Sequence, residues 1–155
     1  MMDSVDMEII ELLQANGRAS ISEIGSRINL SVSAVGERIR KLEKSGIIQQ
    51  YTVILDGKLF KKELTALVFI SLETPKYIDG FLKFVEEEND ILECHYIAGN
   101  YDYVIKIVTN NPTTLEGLLN KIKSVPGIIK TYTNVVLKTV KNKYSVVPSE
   151  LPEDR

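Results

Sequence analysis

The sequence predicts an α+β protein in two halves, three short helices followed by a βαββαβ unit. Two observations predict it. Up to Gly46 the apolar residues recur at helical spacing, and each run opens on a capping residue. From Leu64 onward, alternating strand-like runs are interleaved with two further helical stripes. A length of 155 residues fits one large domain or two small ones.

Residues 4–14 read as the first helix. Val5, Ile9 and Leu12 recur at i, i+4 and i+7, Ile10 and Leu13 widen the stripe, and Asp3 or Ser4 caps the start. Asn16-Gly17 closes it, with Gly17 expected in the left-handed conformation. Ser20-Ile21-Ser22-Glu23 is a capping box opening a second helix, whose buried stripe is Ile21, Ile24 and Ile28. In the turn that follows, Asn29 tolerates the left-handed conformation, Leu30 plugs the angle between helices, and Ser31 caps the third helix. That helix runs to about Ser45 with Val32, Val35, Ile39 and Leu42 on one face, and Gly46 ends it. Three helices with a three-residue turn between the second and third have the form of a helix-turn-helix. Residues 47–55, closed by Asp56-Gly57, are β-prone and suit a short wing strand and linker.

In the second half, Leu64–Glu73 alternates as a strand and Lys76–Glu88 is a helix with Ile78, Phe81, Leu82 and Val85 inward. Ile91–Ala98 and Tyr103–Thr109 are strands joined by the turn Gly99-Asn100-Tyr101-Asp102. Thr113-Thr114-Leu115-Glu116 reads as a capping box opening a helix with Leu115, Leu118, Leu119 and Ile122 inward. Pro126-Gly127 breaks the chain before a long strand, Ile128–Val140. The order is that of the ferredoxin-like arrangement. The boundaries are a helix-turn-helix domain at 1–50, a wing strand and linker at 51–63, the βαββαβ domain at 64–141 and a tail at 142–155, of which 148–155 are Pro- and acid-rich. A sheet of this kind carries helices on one face only. Here Leu67 and Phe69 alternate with Ala66, Val68 and Ile70, so both faces are apolar and the open one is expected to dimerise.

Composition narrows the function. Hydrophobic residues make up 44 % of the chain and charged ones 26 %, and no apolar run approaches the roughly 20 residues a membrane span needs. The polar start, Met1-Met2-Asp3-Ser4, reads as no signal peptide, and a single cysteine, Cys94, excludes a disulfide framework or a multi-cysteine metal site. A cytoplasmic, nucleoid-associated location is expected. The net charge of −2 is no nucleic-acid signature, but Arg27, Arg38, Arg40, Lys41 and Lys44 face only Glu37 and Glu43 between positions 27 and 44. Over a Debye length of about 8 Å, that local excess matters more than the total.

A recognition helix places its N-terminal residues at base edges of the major groove. With the aliphatic stripe inward, Ser33 can donate or accept, Ala34 can touch a thymine methyl, Glu37 can accept from cytosine and Arg38 can fork onto a guanine. Arg40, Lys41 and Lys44 suit phosphates, as do Ser20, Ser22 and Ser31 beside helix N-termini. The competing interpretation is a solvated helix face whose serines are only caps.

Several blocks resemble the Lrp/AsnC, or feast/famine, family of transcription regulators over residues 4–141. Asp6–Leu13 looks like its first helix and Asn16–Ser20 like its turn. Leu30–Ile48 is similar to its recognition helix and exit, and Glu93–Tyr103 to the centre of its regulatory domain. Val125-Pro126-Gly127 with Thr131-Tyr132-Thr133 resembles its last strand. The resemblance implies a winged helix-turn-helix on double-stranded DNA at pseudo-palindromic operators. It also implies a dimer that often assembles to octamers, and an amino acid or related metabolite bound between the regulatory domains of adjacent dimers. Asn100 stands where the family turn frequently has an acid.

On the residues themselves, backbone N–H groups near Gly99 and Asn100 can meet a carboxylate and Asp102 an ammonium, the two charges of an α-amino acid. Tyr101, Tyr132 and Thr133 would complete the pocket. The competing interpretation is a hairpin with an Asx turn. No cofactor, metal site or catalytic residue is expected. Glu93 and His95 fall on one sheet face and Cys94 on the other, and no nucleophile-base set or Gly-rich phosphate loop is present. The rival readings are a siroheme-decarboxylase-like enzyme, for which a single histidine is poor equipment, and a sensor or assembly protein with a vestigial DNA domain, against which the Arg38, Arg40, Lys41 and Lys44 cluster speaks.

Overall fold

Asp3 starts the first helix, α1 (Ser4–Ala15), by a reciprocal capping box with Asp6. Ser20 and Glu23 do the same for α2 (Ile21–Ile28), and Ser31 caps α3 (Val32–Lys44). The computed structural model describes residues 2–148, which fall into two units, residues 2–54 with 143–148 and residues 55–142. The core of the first unit is Ile9, Ile10, Ile24, Val35 and Leu42, each burial contributing about 1.5–3 kcal/mol.

Three local expectations change in this unit. Gly17 is not left-handed. The helix stops at Asn16 in extended conformation, and the Asn16 Oδ1 accepts the Arg18 N–H at 3.0 Å, so an Asx turn does the work expected of glycine. Ile21 and Val32 are exposed, because each is the first residue of its helix and lies before the turn that reaches the core. Residues 47–56 form no strand: among the described residues they have no strand to pair with, and Val53, Ile54 and Leu55 are exposed. Beyond them Gly57–Phe60 makes a short 3₁₀ turn. Residues 145 and 146 lie against α1, with Gln14 Nε2 donating to the Val146 carbonyl at 2.8 Å. The acidic end, 149–155, lies outside the described residues.

The second unit runs β1 (Leu64–Leu72), α4 (Ile78–Glu87), β2 (Ile91–Tyr96), β3 (Tyr103–Thr109), α5 (Pro112–Lys123) and β4 (Ile128–Val136). The sheet order is β2-β3-β1-β4, antiparallel throughout. Ala66, Val68, Ile70, Tyr103, Ile105 and Ile107 point to the helix layer and meet Phe81, Leu115, Leu118 and Ile122. The other face carries Leu67, Phe69, Val104, Lys106, Val108 and Tyr132. Glu93 and His95 share that face, while Cys94 packs toward the core, as alternation predicts.

Three expectations change here. Leu82, expected inward, is exposed, and Phe84 packs against the core instead. The box that opens α5 is Asn111 with Thr114, two residues earlier than Thr113–Glu116, because Asn caps well and Pro112 fits the first helical position. β4 ends at Val136, not Val140, since Val136 pairs with Thr65 and β1 offers no partner beyond Leu64.

Candidate nucleic-acid interface and sensing loop

The close approach of α2 to the turn depends on Gly25. A Cβ there would lie 2.6 Å from the Leu30 carbonyl oxygen, and the Leu30 N–H donates to the Gly25 carbonyl. Asn29 takes the left-handed conformation at φ 56°, as expected of Asn at a turn. Leu30 then packs onto the helical core and Ser31 opens α3.

α3 is two-faced. Val35, Ile39 and Leu42 turn inward, and Ser33, Glu37, Arg40 and Lys44 recur at i, i+4, i+7 and i+11 on the exposed side, with Lys41 beside them. Among the described residues no carboxylate stands within ion-pair distance of Arg40, Lys41 or Lys44. Glu43, the nearest acid in sequence, accepts from the Tyr51 hydroxyl at 3.0 Å. Ser31 and Ser33 hydroxyls lie 3.0 Å apart at the helix start, Ala34 is half-buried, and Ser20 and Ser22 are exposed on the first turn of α2. The Ser20 amide and hydroxyl bind Glu23 and hold its carboxyl below the ordinary range.

Arg38 departs from expectation. It was expected to face outward toward a guanine, yet it lies three residues after Val35 and four before Leu42, at the flank of the buried stripe. Its Nη1 donates to both Asp3 oxygens at 3.0 and 2.8 Å and to Asp6 Oδ1 at 2.7 Å. Donating to Asp6 and Asp3 raises the already high pKa of Arg38, and the Asp6 amide followed by Arg38 lowers that of Asp3. Sequence reasoning passed over Asp3 and Asp6 in this role. The available signal was an acid, Asp6, three and four residues before Ile9 and Ile10 on the buried face.

The sensing candidates divide. Tyr101 and Tyr132 come together, ring centroids 6.3 Å apart and stacked at 26°, with Phe69 5.7 and 6.2 Å from them. Thr133 does not join them: it pairs with Val68 on the helix side of the sheet, whereas Tyr132 pairs with Phe69 on the open side. Asp102 is already partly committed, since one carboxylate oxygen accepts the Leu72 N–H at 2.8 Å and its own N–H donates to the Ile70 carbonyl. It therefore ties the loop to the end of β1 where the β1–β4 register slips, in place of the Asx turn considered above. Gly99 and Asn100 are exposed at the loop tip. Lys130 was not foreseen. Its Nζ stands 4.8 Å over the Tyr101 ring, two residues before Tyr132 on the same face. An aromatic patch with a cation above it and an open loop beside it can take an apolar side chain and a carboxylate.

Residues 2–43 match the family profile described as an AsnC-type helix-turn-helix domain, and residues 65–146 match the Lrp/AsnC ligand binding domain. The chain is 36% identical over 140 residues to the HTH-type transcriptional regulator FL11 of Pyrococcus abyssi, covering 90% of this chain and 92% of that one. It is 33% identical over 149 residues to the leucine-responsive regulatory protein of Escherichia coli K12, covering 94% and 91%. Among solved structures, a Neisseria meningitidis transcriptional regulator in complex with L-Met superposes with a TM-score of 0.89 at 26% identity, covering 94% and 96%.

Proposed function

The chain belongs to the Lrp/AsnC family of transcriptional regulators, and from that premise we propose that it reads pseudo-palindromic duplex DNA with α3 and adjusts its binding to an amino acid held beside the loop at 97–102. The observation that carries the DNA reading is the ridge of Arg40, Lys41 and Lys44, without an ion-pair partner among the described residues, continuing Ser33 and Glu37 opposite a buried aliphatic stripe. Ser33, Ala34 and Glu37, near the helix start, meet base edges. Arg40, Lys41 and Lys44 hold phosphates, as do Ser20, Ser22 and Ser31 at the helix entries. Two copies join through the open sheet face around Leu67, Phe69 and Val104 and present two α3 helices to half-sites one or more helical turns apart. Octamers are a further step of the same assembly.

The solved neighbour with L-Met supports an amino-acid effector. In this chain Tyr101 and Tyr132 receive the side chain. Lys130 and the N–H groups at Gly99 and Asn100 receive the carboxylate, and the remaining oxygen of Asp102 receives the ammonium. The test begins with duplexes selected from a random library by the wild-type protein. Arg40→Ala and Lys44→Ala should weaken binding about equally on all of them, each lowering the slope of affinity against salt by about 1 per protomer, about 2 for the dimer. Glu37→Ala should relax preference at one base-pair position. Slopes unaffected by either cation change would remove the ridge from the DNA. Calorimetry against the common amino acids, repeated with Tyr101→Ala, tests the loop, and binding undiminished in that variant would place the effector elsewhere.

A further inference from the structure

We propose that Arg38 is a positioning residue, which with Asp3 and Asp6 forms an ionic clasp that sets α3 against the start of α1 and so aims the reading ridge, and does not itself contact DNA. The proposal rests on the reading of α3 as the DNA helix. All three contacts run through one nitrogen, Nη1, at 2.7–3.0 Å, and they join residues 32 and 35 positions apart. The same two carboxylates build the cap of α1: Asp3 Oδ1 accepts the Asp6 N–H at 2.9 Å and Asp6 Oδ2 accepts the Asp3 N–H at 3.1 Å. Asp6 Oδ1 is left to Arg38. Asp6 is 7% exposed and sits on the buried face with Ile9 and Ile10. A carboxylate in that position needs a cation, so turning Arg38 out to a guanine would strand it.

The chemistry fits alignment better than contact. Two carboxylates and one guanidinium sum to a negative cluster beside a helix that must approach phosphates. If the cluster did nothing for binding, neutralising either acid would strengthen the attraction to DNA. If it aims α3, neutralising an acid weakens specific binding although it removes a negative charge. The two accounts therefore predict opposite signs.

The experiment uses the full chain, a duplex selected by the wild-type protein and poly(dI-dC) as the non-specific competitor. Far-UV circular dichroism at the binding temperature confirms that each variant is folded. Asp6→Asn and Arg38→Ala should each lower the ratio of specific to non-specific affinity on the order of tenfold, about what one mismatched base pair does. Asp3→Asn, altering a half-exposed partner, should lower it less and guards against a folding defect in the other two. The double variant Arg38→Ala with Asp6→Asn should be no worse than Arg38→Ala alone. Arg38→Ala should keep the wild-type salt slope, whereas Arg40→Ala loses about 1 per protomer, about 2 for the dimer. Tighter or unchanged specific binding by both asparagine variants overturns the clasp, as does a salt slope that falls in Arg38→Ala. Failure of the wild-type protein to enrich any duplex shows itself before a variant is made; it defeats the DNA reading and this role with it.

Discussion

Asp90 shows how a single side chain can tie several segments of the regulatory unit together. It pairs with Lys62 and accepts from the fully buried Thr109 Oγ1 at 2.6 Å, and Thr109 in turn lies 3.0 Å from Thr114 Oγ1 in the cap of α5. Burial works to raise its pKa, but the bonds from Lys62 and Thr109 outweigh it, and the carboxyl is held below the ordinary value of 3.8. A depressed carboxylate contributes stability that is present above the ordinary value and is lost as pH falls through the folded one. The wild-type protein should therefore lose stability on acidification below about pH 4. Asp90→Asn should cost about 1.5–3 kcal/mol at pH 7, as for hydrogen bonds to a charged group, and should show a shallower acid loss. Urea unfolding of both proteins at pH 7 and pH 3 reads the difference, and equal stability at pH 7 would show that the pair is replaceable.

Within the elements, glycine positions separate structure from propensity. Gly25→Ala gains about 1 kcal/mol of helix propensity, but its methyl would meet the Leu30 carbonyl, a backbone atom that cannot step aside. The overlap outweighs the gain, and a net loss of about 1–3 kcal/mol is expected, with weakened DNA binding because the turn sets α3. Gly36→Ala meets only Ile21 Cδ1 at 3.7 Å and should stabilise the helical unit by up to about 1 kcal/mol. Thermal melts of the two variants should move in opposite directions, and a stable Gly25→Ala protein would mean that the turn has slack. Boundaries were legible where side chain and backbone agreed, as at Ser20 with Glu23, and missed where a neighbour decided them. The box at Thr113 was equally plausible by pattern and lost to Asn111 because Pro112 fixes the first helical turn.

For the whole molecule the open sheet face is decisive. Leu67, Phe69, Val104 and Tyr132 lie together there, and Leu67→Glu puts a charge at its middle. Sedimentation should find wild-type protein as a dimer or larger and Leu67→Glu as a monomer with an unchanged circular dichroism spectrum. Such a monomer should bind a single half-site far more weakly than the dimer binds a full operator, because the second α3 helix is no longer tethered. A monomeric wild type would require another explanation for the apolar face.

Periodicity and capping residues determined by themselves that three helices precede a βαββαβ unit, most of the residues that line both cores, and that a cationic ridge runs along the third helix. These properties repeat locally, and the chain reports them within a few residues. Tertiary structure alone decided that Arg38 turns to Asp3 and Asp6, that Thr133 and Tyr132 part company across the sheet, that Lys130 comes to rest over Tyr101, and that residues 47–56 stay unpaired as a strand. Each of these depends on a partner at long range or on strand register, and neither is encoded by the spacing of neighbours.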